Sequence, residues 1–133
     1  MKIKLLFAIA ALMALYSCGD KNTPNTEIDV ARAFIKDILE KNFKEAETYV
    51  LKDETNKQYF DLLKKDFESK DSEELEHYKN GDIIINEISP VNDSVSVVNY
   101  SNSYAKDEHN KLKMVRLNGQ WQVDLKYTFS GNL

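Results

Sequence analysis

Lys111-Leu112-Lys113-Met114-Val115-Arg116-Leu117-Asn118-Gly119-Gln120-Trp121-Gln122-Val123-Asp124-Leu125 is the stretch that decides the fold. Two runs of alternating apolar and polar residues flank Asn118-Gly119. A type I′ turn needs positive φ at both central positions, and this dipeptide tolerates that best. The turn sets a register: Leu117 opposite Gln120, Arg116 opposite Trp121, Met114 opposite Val123, Lys113 opposite Asp124 and Leu112 opposite Leu125. One face then carries Leu112, Met114, Arg116, Trp121, Val123, Leu125 and Tyr127, and is expected to meet the core. Lys111, Lys113, Val115, Leu117, Gln120, Gln122, Asp124 and Lys126 face the other way. There Lys113 and Asp124 make an opposite-charge pair, and Val115 with Leu117 make a small apolar spot suited to self-association as a homodimer.

Upstream of this hairpin the same period of two runs back to Asp82, with β-branched and aromatic residues in excess. Four strands are predicted, at 82–89, 94–104, 110–117 and 120–128, separated by Pro90-Val91-Asn92-Asp93, by 105–109 and by Asn118-Gly119. Connections so short make the strands antiparallel neighbours. Before Asp82 the period is near 3.6. Thr26-Glu27-Ile28-Asp29 is a capping pattern, followed by Ile28, Ala31, Phe34, Ile35, Ile38 and Leu39 on one helical stripe. Asn42 is placed to cap a short second helix with Phe43, Ala46, Tyr49 and Val50 on one side. A third helix spans 54–69 with Tyr59, Phe60, Leu63 and Phe67 inward. The segment 71–78 adds a helical turn with Leu75 and Tyr78 inward, broken by Asn80-Gly81. Helices first and an antiparallel meander afterwards is an α+β order, in which a curved sheet wraps a long helix.

Val30, Ala31, Phe34 and Ile35 in the opening helix, Asn42-Phe43-Lys44-Glu45-Ala46, and the closing Arg116-Leu117-Asn118-Gly119-Gln120-Trp121-Gln122-Val123 resemble the nuclear transport factor two-like, or cystatin-like, α+β cone. The arrangement is similar to small bacterial lipoproteins that carry this domain after a short tether. The resemblance implies a four-stranded curved sheet over helices and, in members with a ligand, a cavity between the two. Phe34, Tyr59, Phe60, Tyr100, Met114, Arg116, Trp121 and Tyr127 are the residues expected around it. They either fill the cone themselves, which is the expectation, or line a pocket. Arg116 either stacks on Trp121 at the sheet edge or contacts an anion in the cavity.

Enzymes of that fold place a carboxylate base and a tyrosine donor inside the cavity, and the inward strand positions supply tyrosines without an evident acid. An inward Asp or Glu within reach of an inward tyrosine would revive catalysis. His77 and His109 do not share metal-ligand spacing, and neither HExxH, paired CxxC, GxSxG nor a phosphate-cradling glycine loop occurs. No catalytic residue, metal or cofactor is assigned. Glu68, Asp71, Glu73, Glu74 and Glu76 lack calcium-loop spacing and read as a solvated face. The two histidines also read as surface groups.

The N-terminus speaks to location. Lys2 and Lys4 precede an apolar run at 5–15, which as a helix would be about 16 Å long and too short for the roughly 30 Å hydrocarbon layer. Leu15-Tyr16-Ser17-Cys18 contains the only cysteine of the chain and resembles a lipobox. The resemblance implies a signal peptide at 1–17, removal of that leader, and Cys18 carrying diacylglycerol and palmitate-type acyl chains. A modified thiol also explains a lone cysteine in an oxidising compartment. Residues 18–25 then form a tether reaching about 28 Å at most. Two or more chains hold a protein on a membrane essentially permanently. Gly19 after the cysteine favours the outer membrane by the sorting rule of such lipoproteins, with the exposed face open.

Loss of Lys2 and Lys4 moves the formal charge from -4 to -6, which argues against nucleic acid. Residues 26–133 remain for one domain. The expectation is a non-catalytic, membrane-anchored protein of the cell envelope that binds a protein partner or gives structural support. The alternative is a small apolar or weakly acidic ligand in the cone, followed by an isomerase- or dehydratase-like enzyme. A closed cone favours the partner, whereas an open pocket of several hundred Å³ favours the ligand.

Overall fold

The computed structural model describes residues 23–130. Cys18, the expected leader at 1–17 and most of the expected tether lie outside them. The order is α1 (Glu27–Leu39), α2 (Phe43–Thr48), α3 (Glu54–Ser69), α4 (Ser72–Asn80), β1 (Ile83–Asn92), β2 (Val95–Asn102), β3 (Ala105–Leu117), β4 (Gln120–Asp124) and α5 (Leu125–Ser130). The four strands form one antiparallel sheet in the order β1-β2-β3-β4. This is the α+β class expected from the pattern.

The first helix starts where its cap is. Thr26 Oγ1 accepts the Asp29 N–H at 3.1 Å, and Asp29 Oδ2 accepts the Thr26 N–H at 3.4 Å. Val30, Ala31, Phe34, Ile35 and Ile38 are buried on its inner side. The helix ends in a Schellman turn: Lys41 adopts φ 58°, its N–H reaches the Ile38 carbonyl at 3.1 Å, and the Asn42 N–H reaches the Asp37 carbonyl at 2.8 Å. That turn overrides the cap predicted at Asn42. Its side-chain amide points back to donate to Glu40 Oε2 at 3.1 Å and makes no cap bond to α2.

The hairpin register is as the Asn118-Gly119 turn requires, from Leu117 opposite Gln120 to Lys113 opposite Asp124. Asn118 and Gly119 both have positive φ, at 50° and 76°. The other two strand connections are shorter than expected. Val95 pairs with Asn92 and Ala105 with Asn102, so Asp93-Ser94 and Ser103-Tyr104 are the whole loops. Each is closed by an asparagine carbonyl oxygen: Asn92 accepts the Ser94 N–H at 2.8 Å and Asn102 the Tyr104 N–H at 2.9 Å. Pro90 is tolerated inside β1 because that strand is an edge. Residues 105–109, expected as a loop, are therefore the first turns of the pleat in β3.

The expected strand at 120–128 stops at Asp124. The Leu125 N–H leaves the ladder to donate to Asn56 Oδ1 at 2.7 Å, and the Lys126 N–H turns back to Asp124 Oδ1 at 3.2 Å. The chain then coils into α5, so Leu125 does not face Leu112 across the sheet and Tyr127 leaves the sheet face. The outer edge of β4 is covered instead by a one-residue parallel bridge from Val50 to Val123. It is held by Leu51 N–H to Val123 O at 2.9 Å and Val123 N–H to Tyr49 O at 2.8 Å. An edge so covered is closed to further strand pairing.

The core sits between α1 and the concave sheet face. Val30, Ala31, Phe34, Ile35 and Ile38 pack with Phe60 of α3 and with Val98, Leu112, Met114, Val123 and Leu125. Among the described residues no helix is long and apolar enough to cross a membrane.

Candidate functional site

Packing is dense at the end of the cone near Met114 and opens at the other. There α1, α3, α4 and the sheet enclose a cavity of about 340 Å³. Its walls are apolar: Phe34, Ile35 and Ile38 from α1, Leu63 and Phe67 from α3, Leu75 from α4, and Ile83, Leu112 and Leu125 from the remaining elements. Besides packing against α1, α4 is tied to the β2–β3 hairpin. His77 stacks on Tyr104 with ring centroids 4.7 Å apart, Tyr78 meets the edge of the same ring at 5.1 Å, and Asn102 Nδ2 donates to the Tyr78 carbonyl at 2.8 Å. The close approach needs a glycine, since a Cβ at Gly81 would strike the side-chain oxygen of Asn102. His77 is thus part of a clasp, although it is also exposed as expected.

Tyr100 brings a phenol to this wall. It pairs with Ile85 and Asn110 across the sheet, on the concave side. Burial pushes its phenol up to about 12, yet the ring keeps some accessible surface because it borders the void. Among the described residues its hydroxyl makes no hydrogen bond. The oxygen itself is not sealed off: among the described residues Ser96 Oγ is the one buried side-chain polar atom without a partner, so the Tyr100 hydroxyl keeps accessible surface and can meet water or a ligand in the cavity.

The mouth is polar and acidic. Glu74, Tyr78, Glu108, Asn102, Asn110 and Lys70 border it. Tyr78 Oη donates to Glu108 Oε2 at 2.7 Å, and that bond, burial and the charges of Glu108 and Glu74 push the phenol up to about 12. Lys70 is held by Asp66 at 3.3 Å, with its ammonium 5.4 Å from the centre of the Phe67 ring. The sequence reading placed no acid on the inward strand positions, and this is corrected: β3 begins at Ala105, so Glu108 falls in phase with Asn110, Leu112 and Met114. Nothing in the run Lys106-Asp107-Glu108-His109 signals this, because all four residues are polar and exposed.

Of the eight residues expected around a cavity, Phe34 and Tyr100 line it. Met114 is fully buried in the core. Phe60 is a core residue that borders a separate, shallower hollow of about 480 Å³ at the start of α3, where Lys44, Lys52 and Lys57 mix with Glu47, Asp53 and Glu54. Tyr59 and Trp121 are half-buried against the core. Tyr127 sits on α5, its ring 5.8 Å from the ammonium of Lys113. Arg116 is exposed, borders neither hollow and makes no cation–π contact with Trp121 among the described residues. Neither use foreseen for it is met: Arg116 lies near the hairpin end of the β3–β4 pair, exposed and away from both hollows. Lys113 and Asp124 approach to 3.7 Å on the convex side, where Val115 is half-buried and Leu117 exposed.

His109 joins a polar cluster on the convex face, with its Nδ1 3.3 Å from Asn99 Oδ1 and 3.4 Å from Asn86 Nδ2. Asn86 occupies a bulge between Ile85 and Glu87. No group of three or more His, Cys, Asp or Glu among the described residues is arranged to hold a metal ion. No protein-family model, curated protein or solved structure matches the chain.

Proposed function

We propose that this protein holds a small, mainly apolar ligand in the cone cavity while a lipid at Cys18 ties it to the cell envelope. One observation carries the reading: a cavity of about 340 Å³, within the size range of small-molecule sites, with mainly apolar walls and the hydroxyl-bearing ring of Tyr100 among them. An open pocket is what separates ligand binding from the partner-binding role ranked first on the sequence. The nuclear transport factor two-like resemblance agrees with a cavity in this position and belongs to the same proposal.

The test is calorimetric. The mature chain, exported through its own leader and reconstituted in zwitterionic nanodiscs, is titrated with n-octanol against empty nanodiscs. Saturable binding to one site is expected, with loss of that binding in Leu63→Trp, whose indole would occupy the cavity. Heats identical to empty nanodiscs would overturn the reading. For the anchor, intact mass of the exported protein is expected to show an acylated Cys18 at the new N-terminus, and a free thiol there would remove the envelope tether.

A second reading has a specific observation behind it. Tyr78 and Glu108 form the tyrosine–acid pair that an isomerase- or dehydratase-like site would need, and both border the cavity. Proton transfer by a carboxylate gains from burial in an apolar pocket. Glu108 is exposed at the mouth. The pair is better placed to receive a polar head group than to abstract a proton from a buried carbon.

A further inference from the structure

Taking the cavity to be a ligand site, we propose that its ligand is an amphiphilic amine, the apolar body lying between α1, α3 and α4 and the ammonium seated at the mouth between Glu74 and Glu108. These two carboxylates come from different elements, α4 and β3, and converge on one opening. Neither is in an ion pair among the described residues. Glu108 accepts only a neutral donor at its side chain, the hydroxyl of Tyr78, which leaves its other oxygen open. The one cation on the wall, Lys70, is already matched by Asp66. A carboxylate ligand would bring a third negative charge to a mouth that already holds two, and Arg116, the cation that could have met it, does not border the cavity.

The mouth also offers what an ammonium needs besides charge. Tyr78 and Phe67 border it with aromatic rings, and Phe67 already carries the ammonium of Lys70 over its ring. Acceptors outnumber donors there: the free oxygen of Glu108, the carboxylate of Glu74 and the side-chain oxygen of Asn110, whose amide nitrogen donates to the Glu108 carbonyl at 3.5 Å. An ammonium brings three donors and no acceptor, which complements that set. Deeper in, a ligand ether or carbonyl oxygen would take the Tyr100 hydroxyl, while a plain alkyl chain would leave it idle.

The experiment compares n-octylamine, n-octanol and n-octanoate by calorimetry on the nanodisc-bound mature chain at neutral pH. Octylamine is expected to bind about tenfold more tightly than octanol, with octanoate weakest. The double variant Glu74→Gln/Glu108→Gln, built at two exposed positions, is expected to erase that preference while octanol binding persists. Equal affinity for amine and alcohol, or a preference for octanoate, would overturn the amine proposal and leave the cavity reading standing. No saturable binding of any of the three would overturn both.

Discussion

Two polar regions of this small protein are built on opposite terms. Under β4, Asn56 is fully buried and every group it offers is used: its amide donates to Asp53 Oδ2 at 3.0 Å and Asp124 Oδ1 at 3.2 Å, and its oxygen accepts the Leu125 N–H at 2.7 Å. Lys126 adds an ion pair to Asp53 at 2.9 Å. At the cavity, the half-buried Tyr100 has a hydroxyl with no hydrogen bond among the described residues. A saturated polar network has no capacity left for a visitor and serves the fold. An idle hydroxyl beside open volume contributes nothing to the fold and is free to serve a ligand.

The comparison breaks most visibly at Asn56. Asn56→Leu removes the partner of a buried N–H and of a buried carboxylate, and is expected to cost about 3 kcal/mol in urea unfolding. A loss below about 1 kcal/mol would mean that the network is not what holds α3 to the end of β4. Ser96 gives the opposite sign. Its hydroxyl is buried without a hydrogen bond on the concave side of β2, away from the cavity. Ser96→Ala is therefore expected to stabilise by about 1 kcal/mol in the same assay, by removing an unmet polar group.

The Asp53–Lys126 pair is partly exposed, so its contribution is expected to stay below about 1 kcal/mol. Its pH signature is sharper than its size. The hydrogen bond from Lys126 and those from Asn56 lower Asp53 from 3.8 to about 2, so the stabilisation is complete above 3.8 and is lost as pH falls through about 2. Asp53→Asn should flatten unfolding free energy across that window, and an unchanged acid slope would remove the pair from the network.

Tyr100→Phe is expected to have the smallest effect on stability, within about 0.5 kcal/mol near neutral pH. Burial raises this phenol from 10.0 to about 12, so the folded state holds its proton longer and stability falls as pH rises through that interval. The phenylalanine variant should lessen that alkaline loss. A large destabilisation at neutral pH would show that the hydroxyl does have a structural partner, and would dissolve the contrast with Asn56.

What could be read from the chain follows the range of each interaction. Asn118-Gly119 has a local preference for positive φ, and one turn propagates a register through Met114 and Val123. Thr26 and Asp29 cap a helix by bonds three residues long. The extension of β3 was missed because Lys106-Asp107-Glu108-His109 alternates two faces that are both solvated, so the pattern carries no apolar contrast. The early end of β4 was missed because its cause, Asn56, lies 69 residues before Leu125. Within its own helix Asn56 looks like any polar surface residue.

The sequence by itself determined the α+β order, the meander, the hairpin register and the inner face of α1, because each rests on backbone preference or on a short apolar period. Only the tertiary structure decided that α4 is clasped to the β2–β3 hairpin, that Glu108 borders the cavity, and that the Tyr100 hydroxyl has no hydrogen bond among the described residues. Those outcomes depend on which distant groups find hydrogen-bond partners and which do not, and a one-dimensional pattern holds no record of that pairing.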